Sequence, residues 1–253
     1  EALDKGEVEG AANYFENSIA AEWRLPMPHT NLGKIFLEEG KVDEAVVHLR
    51  KALQLQPDGS TELLKIALEA KKNDTPSGDV KKQIEDLKNK KPVELFDPDY
   101  IEALKLLREQ KYQDALPLLK KSLEKFPSND QVLINLGVAY KNTDDLVKAK
   151  ENLSLAILAN SYNLPARYNM VNVQRKKKEN DLALTQLTLI NNIVPGYMLT
   201  QLQLAELQLA KGNAVAAKML YQQFLDDQDN AAQYPDRIQQ VEDMLKKMSA
   251  PKP

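Results

Sequence analysis

The chain has 253 residues, enough for one large domain or two modest ones with a sizeable core. Leu (38) and Ala (25) far outnumber Val and Ile together (24), and Gly is scarce at 9, a balance that favours helices and disfavours doubly wound α/β folds and β-sandwiches. A net charge of −3 with both signs interspersed leaves no bulk basic field for nucleic acid, the apolar runs fall short of the roughly 18 residues of a membrane span, and the lack of cysteine removes disulfides, thiolate nucleophiles and cysteine-ligated metals.

Internal periodicity organises the chain. Asn31-Leu32-Gly33-Lys34-Ile35-Phe36 recurs as Asn135-Leu136-Gly137-Val138-Ala139-Tyr140, 104 residues on, which is three periods of 34 plus two. Taken in order, residues 1–25 read as the second helix only of a repeat, with Gly6, Ala11, Phe15 and Ser18 at positions 15, 20, 24 and 27. The apolar face left open by that half-repeat predicts further sequence before Glu1. Full two-helix repeats are predicted over 26–59, 96–129, 130–163, 164–197 and 198–231. Residues 60–95 are the weak repeat: Leu63, Ile66, Ala67 and Ala70 keep the first helix in frame, but the second holds only Val80, Ile84 and Leu87 among many lysines. That stretch is a degenerate repeat or, over 73–97 around Pro76-Ser77-Gly78, a linker. Residues 232–253 read as a capping helix and tail, with Ile238, Val241, Leu245 and Met248 on one stripe and charges opposite.

Two positions carry the packing logic. Position 8 is small in Gly33, Ala67, Ala103, Gly137 and Ala205, with Val171 the exception, and position 20 is small in Ala45, Ala115, Ala149, Ala183 and Ala217. These positions lie symmetrically about a turn, so they face each other and let two antiparallel helices approach, while larger residues at 7, 11 and 24 fill the ridges around them. Gly40 and Gly212 stand at the turn, and Pro57, Pro127 and Pro195 close the second helix.

This set of residues resembles the tetratricopeptide-repeat family, with its 34-residue helix–turn–helix, small residues at 8 and 20 and proline at 32. The aromatic favoured at position 4 is absent: His29, Leu63, Asp99, Leu133, Arg167 and Gln201 stand there, which marks the repeats as divergent members. The resemblance implies an all-α, right-handed α-α superhelix, or solenoid, of such hairpins. It also implies that ligands meet first-helix positions 2, 5, 6, 9, 12 and 13 on the concave wall.

Catalytic chemistry finds little to work with. His29 and His48 are the only histidines, both in one repeat at packing and outer positions. Asp144-Asp145 and Asp226-Asp227 sit at turns or helix ends, where capping accounts for them. No metal spacing, phosphate loop or cofactor motif appears, so the chain reads as non-catalytic and free of cofactor and metal.

The concave positions hold the candidate site. Position 6 carries Asn31, Asn135 and Asn169, amides able to pair with the backbone of an extended peptide; asparagine is also simply frequent there in the family. Around them stand Tyr168, Asn172, Lys141, Arg175 and Lys176, cations beside amides that suit an acidic segment or a terminal carboxylate. The family's carboxylate clamp for chaperone tails does not recur, since Tyr100, Leu104, Pro165 and Asn169 occupy its places. The expected function is a scaffold or adaptor binding a protein or peptide, without nucleic acid or a membrane span. The alternative is an oligomerisation or targeting arm of a larger enzyme or envelope assembly, including self-association. Cysteine-free composition favours a soluble, extracytoplasmic location over a cytoplasmic one.

Overall fold

The computed structural model describes residues 8–22, 24–56, 60–89, 97–227 and 235–249; of the residues singled out above, Glu1, Gly6 and Pro57 lie outside these. Fourteen helices and no strand occur among the described residues: α1 (Val8–Ala21), α2 (Pro26–Glu38), α3 (Val42–Leu55), α4 (Thr61–Asn73), α5 (Ser77–Asn89), α6 (Pro98–Arg108), α7 (Tyr112–Lys125), α8 (Asp130–Asn142), α9 (Leu146–Ala159), α10 (Leu164–Lys176), α11 (Asn180–Ile193), α12 (Met198–Ala210), α13 (Ala214–Asp226) and α14 (Pro235–Ser249). The chain divides into two compact units, 1–173 and 174–253.

In the first unit α2 pairs with α3, α6 with α7 and α8 with α9, while α3 packs on α4 and α7 on α8. The close approach has a direct geometric cause. A Cβ built on Gly33 would stand 2.5 Å from Cγ of Leu49 and 3.3 Å from the Ala45 carbonyl oxygen, and one on Gly137 would stand 2.6 Å from Cγ of Leu153. The small position 8 thus receives the leucine at position 24 as well as the backbone of position 20. Leu136, Leu153, Ala139 and Ala149 are buried in the resulting core, and each fully buried leucine contributes roughly 1.5–3 kcal/mol of transfer free energy.

The turn between paired helices repeats as strictly as the packing. Gly40, Asp74, Gln110, Asp144, Lys178 and Gly212, each at position 15, all adopt positive φ between 49° and 82°. The next N–H bonds back five residues to the last turn of the first helix in every case, from Lys41 to Phe36 through Asn213 to Gln208, at 2.8–3.1 Å. These bonds satisfy helix-end carbonyls that would otherwise be orphaned.

Capping defines several starts. Asn129, Asp145 and Asn163 accept from the N–H groups of Val132, Lys148 and Ala166 at 3.0, 3.1 and 2.9 Å. Asp97, only 1 % exposed, caps α6 and is held by Lys125 Nζ at 2.7 Å.

The α4–α5 stretch departs from this plan. Only Val80 and Ile84 are buried in α5, and the helix packs against α2 as well as α4. The second unit keeps to the plan: α12 pairs with α13, α11 packs on α12, and α14 packs on α13. Ile238, Val241, Leu245 and Met248, the stripe read from the sequence, meet a core of Met198, Leu202, Ala205, Tyr221 and Phe224, so α14 covers the apolar end of this stack.

Candidate ligand-contacting surface

The first unit holds Asn31, Asn135, Lys141, Tyr168, Asn169 and Asn172, all half-buried. Asn135 on α8 donates through Nδ2 to the hydroxyl of buried Tyr100 on α6 at 2.7 Å. Asn169 on α10 donates to the Pro165 carbonyl oxygen at 3.0 Å and accepts from Lys141 Nζ at 3.5 Å. The structure therefore brings Lys141 and Asn169 together across α8 and α10. It spends part of the amide capacity of Asn135 and Asn169 on the fold itself. Tyr168 and Asn172 share α10 with Asn169, whereas Asn31 lies on α2.

In the second unit Arg175 Nη2 donates to Glu206 Oε2 at 2.8 Å, with the two side chains 36 % and 38 % exposed. Lys176 is exposed. Burial pushes the Tyr221 hydroxyl above its ordinary value, Glu206 adds to that rise and Arg175 opposes it. The side-chain oxygens of Gln174, Gln201 and Gln203 are buried without a hydrogen-bond partner.

Glu206 and Tyr100 were not among the site residues expected from the sequence, although both occupy first-helix wall positions, 9 and 5. The readable signal was the opposite charge of Glu206 one repeat after Arg175. Reading each repeat separately does not show it.

The histidines pack within the α2–α3 hairpin. His29 is 7 % exposed, its Nδ1 lies 3.1 Å from that of His48, and the His48 ring meets Phe36 at 5.4 Å. Burial lowers the His48 pKa below its usual 6.5, against a smaller opposing pull from Glu16. No group of three or more potential metal ligands occurs among the described residues, and none of the described helices is long and apolar enough to cross a membrane.

Residues 106–161 match one tetratricopeptide-repeat family model and residues 29–58 match another. A comparison with curated protein sequences returns no match. Among solved structures, a chain of the APC/C hetero-tetramer Cut9–Hcn1 is similar with a TM-score of 0.52 at 16 % identity, covering 98 % of this chain and 47 % of that one. YrrB, described as a tetratricopeptide-repeat protein with an unusual peptide-binding site, gives 0.47 at 16 % identity over 89 % and 99 % of the two chains. The type IV pilus biogenesis factor PilW gives 0.48 at 14 % identity over 90 % and 89 %. At these identities the likeness is one of fold.

Proposed function

We propose that this member of the tetratricopeptide-repeat family is a non-catalytic adaptor holding a peptide or protein segment against its first helices. The observation that carries this reading is the Lys141–Asn169 contact. At 3.5 Å it stands at the long end of hydrogen bonding, and a ligand carboxylate offers the ammonium a shorter, charge-assisted bond at about 2.7–2.9 Å. Displacing Asn169 from Lys141 leaves its carbonyl oxygen to accept a peptide N–H.

Asn135 contributes in the same sense, since its donor is held by Tyr100 and its carbonyl oxygen is the group left for a backbone N–H. Asn172 adds a donor and an acceptor, and Tyr168 a face for an apolar side chain. Asn31 offers an amide on α2. In the second unit Arg175 and Lys176 are the proposed anion contacts, with Arg175 exchanging Glu206 for a ligand carboxylate.

The test is fluorescence anisotropy with an array of labelled acidic decapeptides on the whole chain. Saturable binding that weakens with salt is expected for a site of this charge. Lys141→Glu should abolish it and Asn172→Ala should weaken it about tenfold, the cost of one good hydrogen bond to a charged or backbone partner. Equal binding by wild type and both variants would remove the site from this wall.

A second reading, self-association, rests on exposed apolar side chains of second helices. Val147, Leu155 and Leu158 on α9 are 60 %, 51 % and 82 % exposed, and Val215 and Met219 on α13 are 78 % and 61 % exposed. Sedimentation equilibrium of wild type against Leu155→Lys with Leu158→Lys decides it: a monomeric wild type removes this reading.

A further inference from the structure

The helix that departs from the repeat plan carries a separate reading. α5 presents one short stripe: Val80 and Ile84 are 1 % and 2 % exposed, whereas Lys81, Lys82, Glu85 and Asp86 face solvent. Lys88 continues the stripe at the same four-residue spacing. Its ammonium donates to Glu85 of α5 itself at 3.4 Å and also lies 3.9 Å from Glu38 of α2, a carboxylate that Lys34 meets at 4.0 Å. At the other end of α5, Cβ of Ser77 is 3.5 Å from the place a Cβ on Gly40 would take. The helix therefore lies on the stripe of α2 that carries Lys34 and Glu38, with α4 as its second support.

The hold is slight for a helix of 13 residues. Two aliphatic side chains supply the buried contact, and the ion pair that completes it is partly open to water, with Lys88 47 % and Glu38 25 % exposed. A cleft of about 580 Å³ remains where the start of α5 meets the end of α4 and the α2–α3 turn, between Gly40, Asp43, Ala70 and Val80. The three-residue connection from α4 makes the docking of α5 intramolecular.

We propose that the α2–α4 face is a helix-binding groove, that α5 is its built-in occupant, and that a partner helix carrying two aliphatic side chains and a lysine at four-residue spacing displaces it. Glu38 selects the lysine, and the α2–α4 face on which Val80 and Ile84 are buried selects the aliphatic pair. The proposal rests on the adaptor reading, which already takes Asn31 of α2, and extends it to the α2–α4 part of the first-helix wall; loss of acidic-peptide binding in Lys141→Glu tests that reading, and binding of a peptide of α5 tests this one.

A fluorescein-labelled synthetic peptide of residues 76–89 is the probe, titrated into the whole chain and into the variant Val80→Asp with Ile84→Asp. The variant should bind the peptide about tenfold or more tighter than wild type, as for a site that its own α5 leaves open no more than about a tenth of the time. A peptide with the same two aspartates should bind neither protein. A variant of unchanged helical circular dichroism that ignores the wild-type peptide overturns the proposal. Should the variant lose its fold, hydrogen exchange of wild type decides: α5 amides exchanging ahead of those of α2 and α3 support a displaceable helix, and exchange in step with α2 overturns it.

Discussion

The Nδ1–Nδ1 contact of His29 and His48 needs one ring to donate and the other to accept, so full protonation of both breaks it. Burial sets the direction at His48, whose folded pKa lies below 6.5 despite Glu16. The unfolded chain takes the proton at higher pH than the folded one, so this contribution to stability is complete above about pH 6.5 and is lost as pH falls below it. Thermal midpoints at pH 8 and pH 5 should therefore separate in wild type and draw together in His48→Gln. Asp97 behaves in the acid range. Burial alone would raise its pKa, but Lys125 and the Asp99 N–H outweigh that and hold it below the ordinary 3.8, so its contribution is present above that value and lost as pH drops through the lower folded one. Asp97→Ala removes the α6 cap, with an expected cost of about 0.5–2 kcal/mol in urea unfolding at pH 7 and a flatter acid limb. The repeat register placed Asp97 near a helix start. Only the structure shows that Lys125, 28 residues away, is its partner.

The hairpin is the element in which sequence pattern and geometry meet most closely. Its turn demands a left-handed residue at position 15, legible at Gly40 and Gly212 and hidden at Asp74, Gln110, Asp144 and Lys178, which accept the same conformation at a cost. A left-handed conformation costs a non-glycine residue roughly 1–2 kcal/mol, and glycine gives back part of the gain through its freedom in the unfolded chain. Gln110→Gly should thus raise stability by up to about 1 kcal/mol, measured as a shift of the denaturation midpoint. A shift in the opposite direction would mean that the Gln110 turn is not strained. Ala149, wholly buried in the α8–α9 hairpin, tests the contact itself. Ala149→Leu overfills it and should cost about 1–3 kcal/mol, whereas an unchanged midpoint would place position 20 outside the contact.

At the scale of the whole molecule, the helix pairs described within each unit pack mainly on the pairs next to them in sequence. The damage done by Ala149→Leu should accordingly stay local: hydrogen exchange should accelerate in α8 and α9 and remain unchanged in α12–α14. Acceleration throughout would show that the chain unfolds as one cooperative body. What the sequence by itself determined is the all-helical, tetratricopeptide-repeat character. A 34-residue recurrence of small residues specifies where two helices approach, and the capping stripe of Ile238, Val241, Leu245 and Met248 specifies which face of α14 is covered. What only the tertiary structure decided is where α5 lies and which groups Asn135, Asn169 and Arg175 already hold. Periodicity describes a side chain's place on its own helix. A thinly apolar helix such as α5 takes its position from the face on which two buried side chains and one ion pair together cost least, and an amide or guanidinium binds whichever partner another repeat brings within about 3 Å of it.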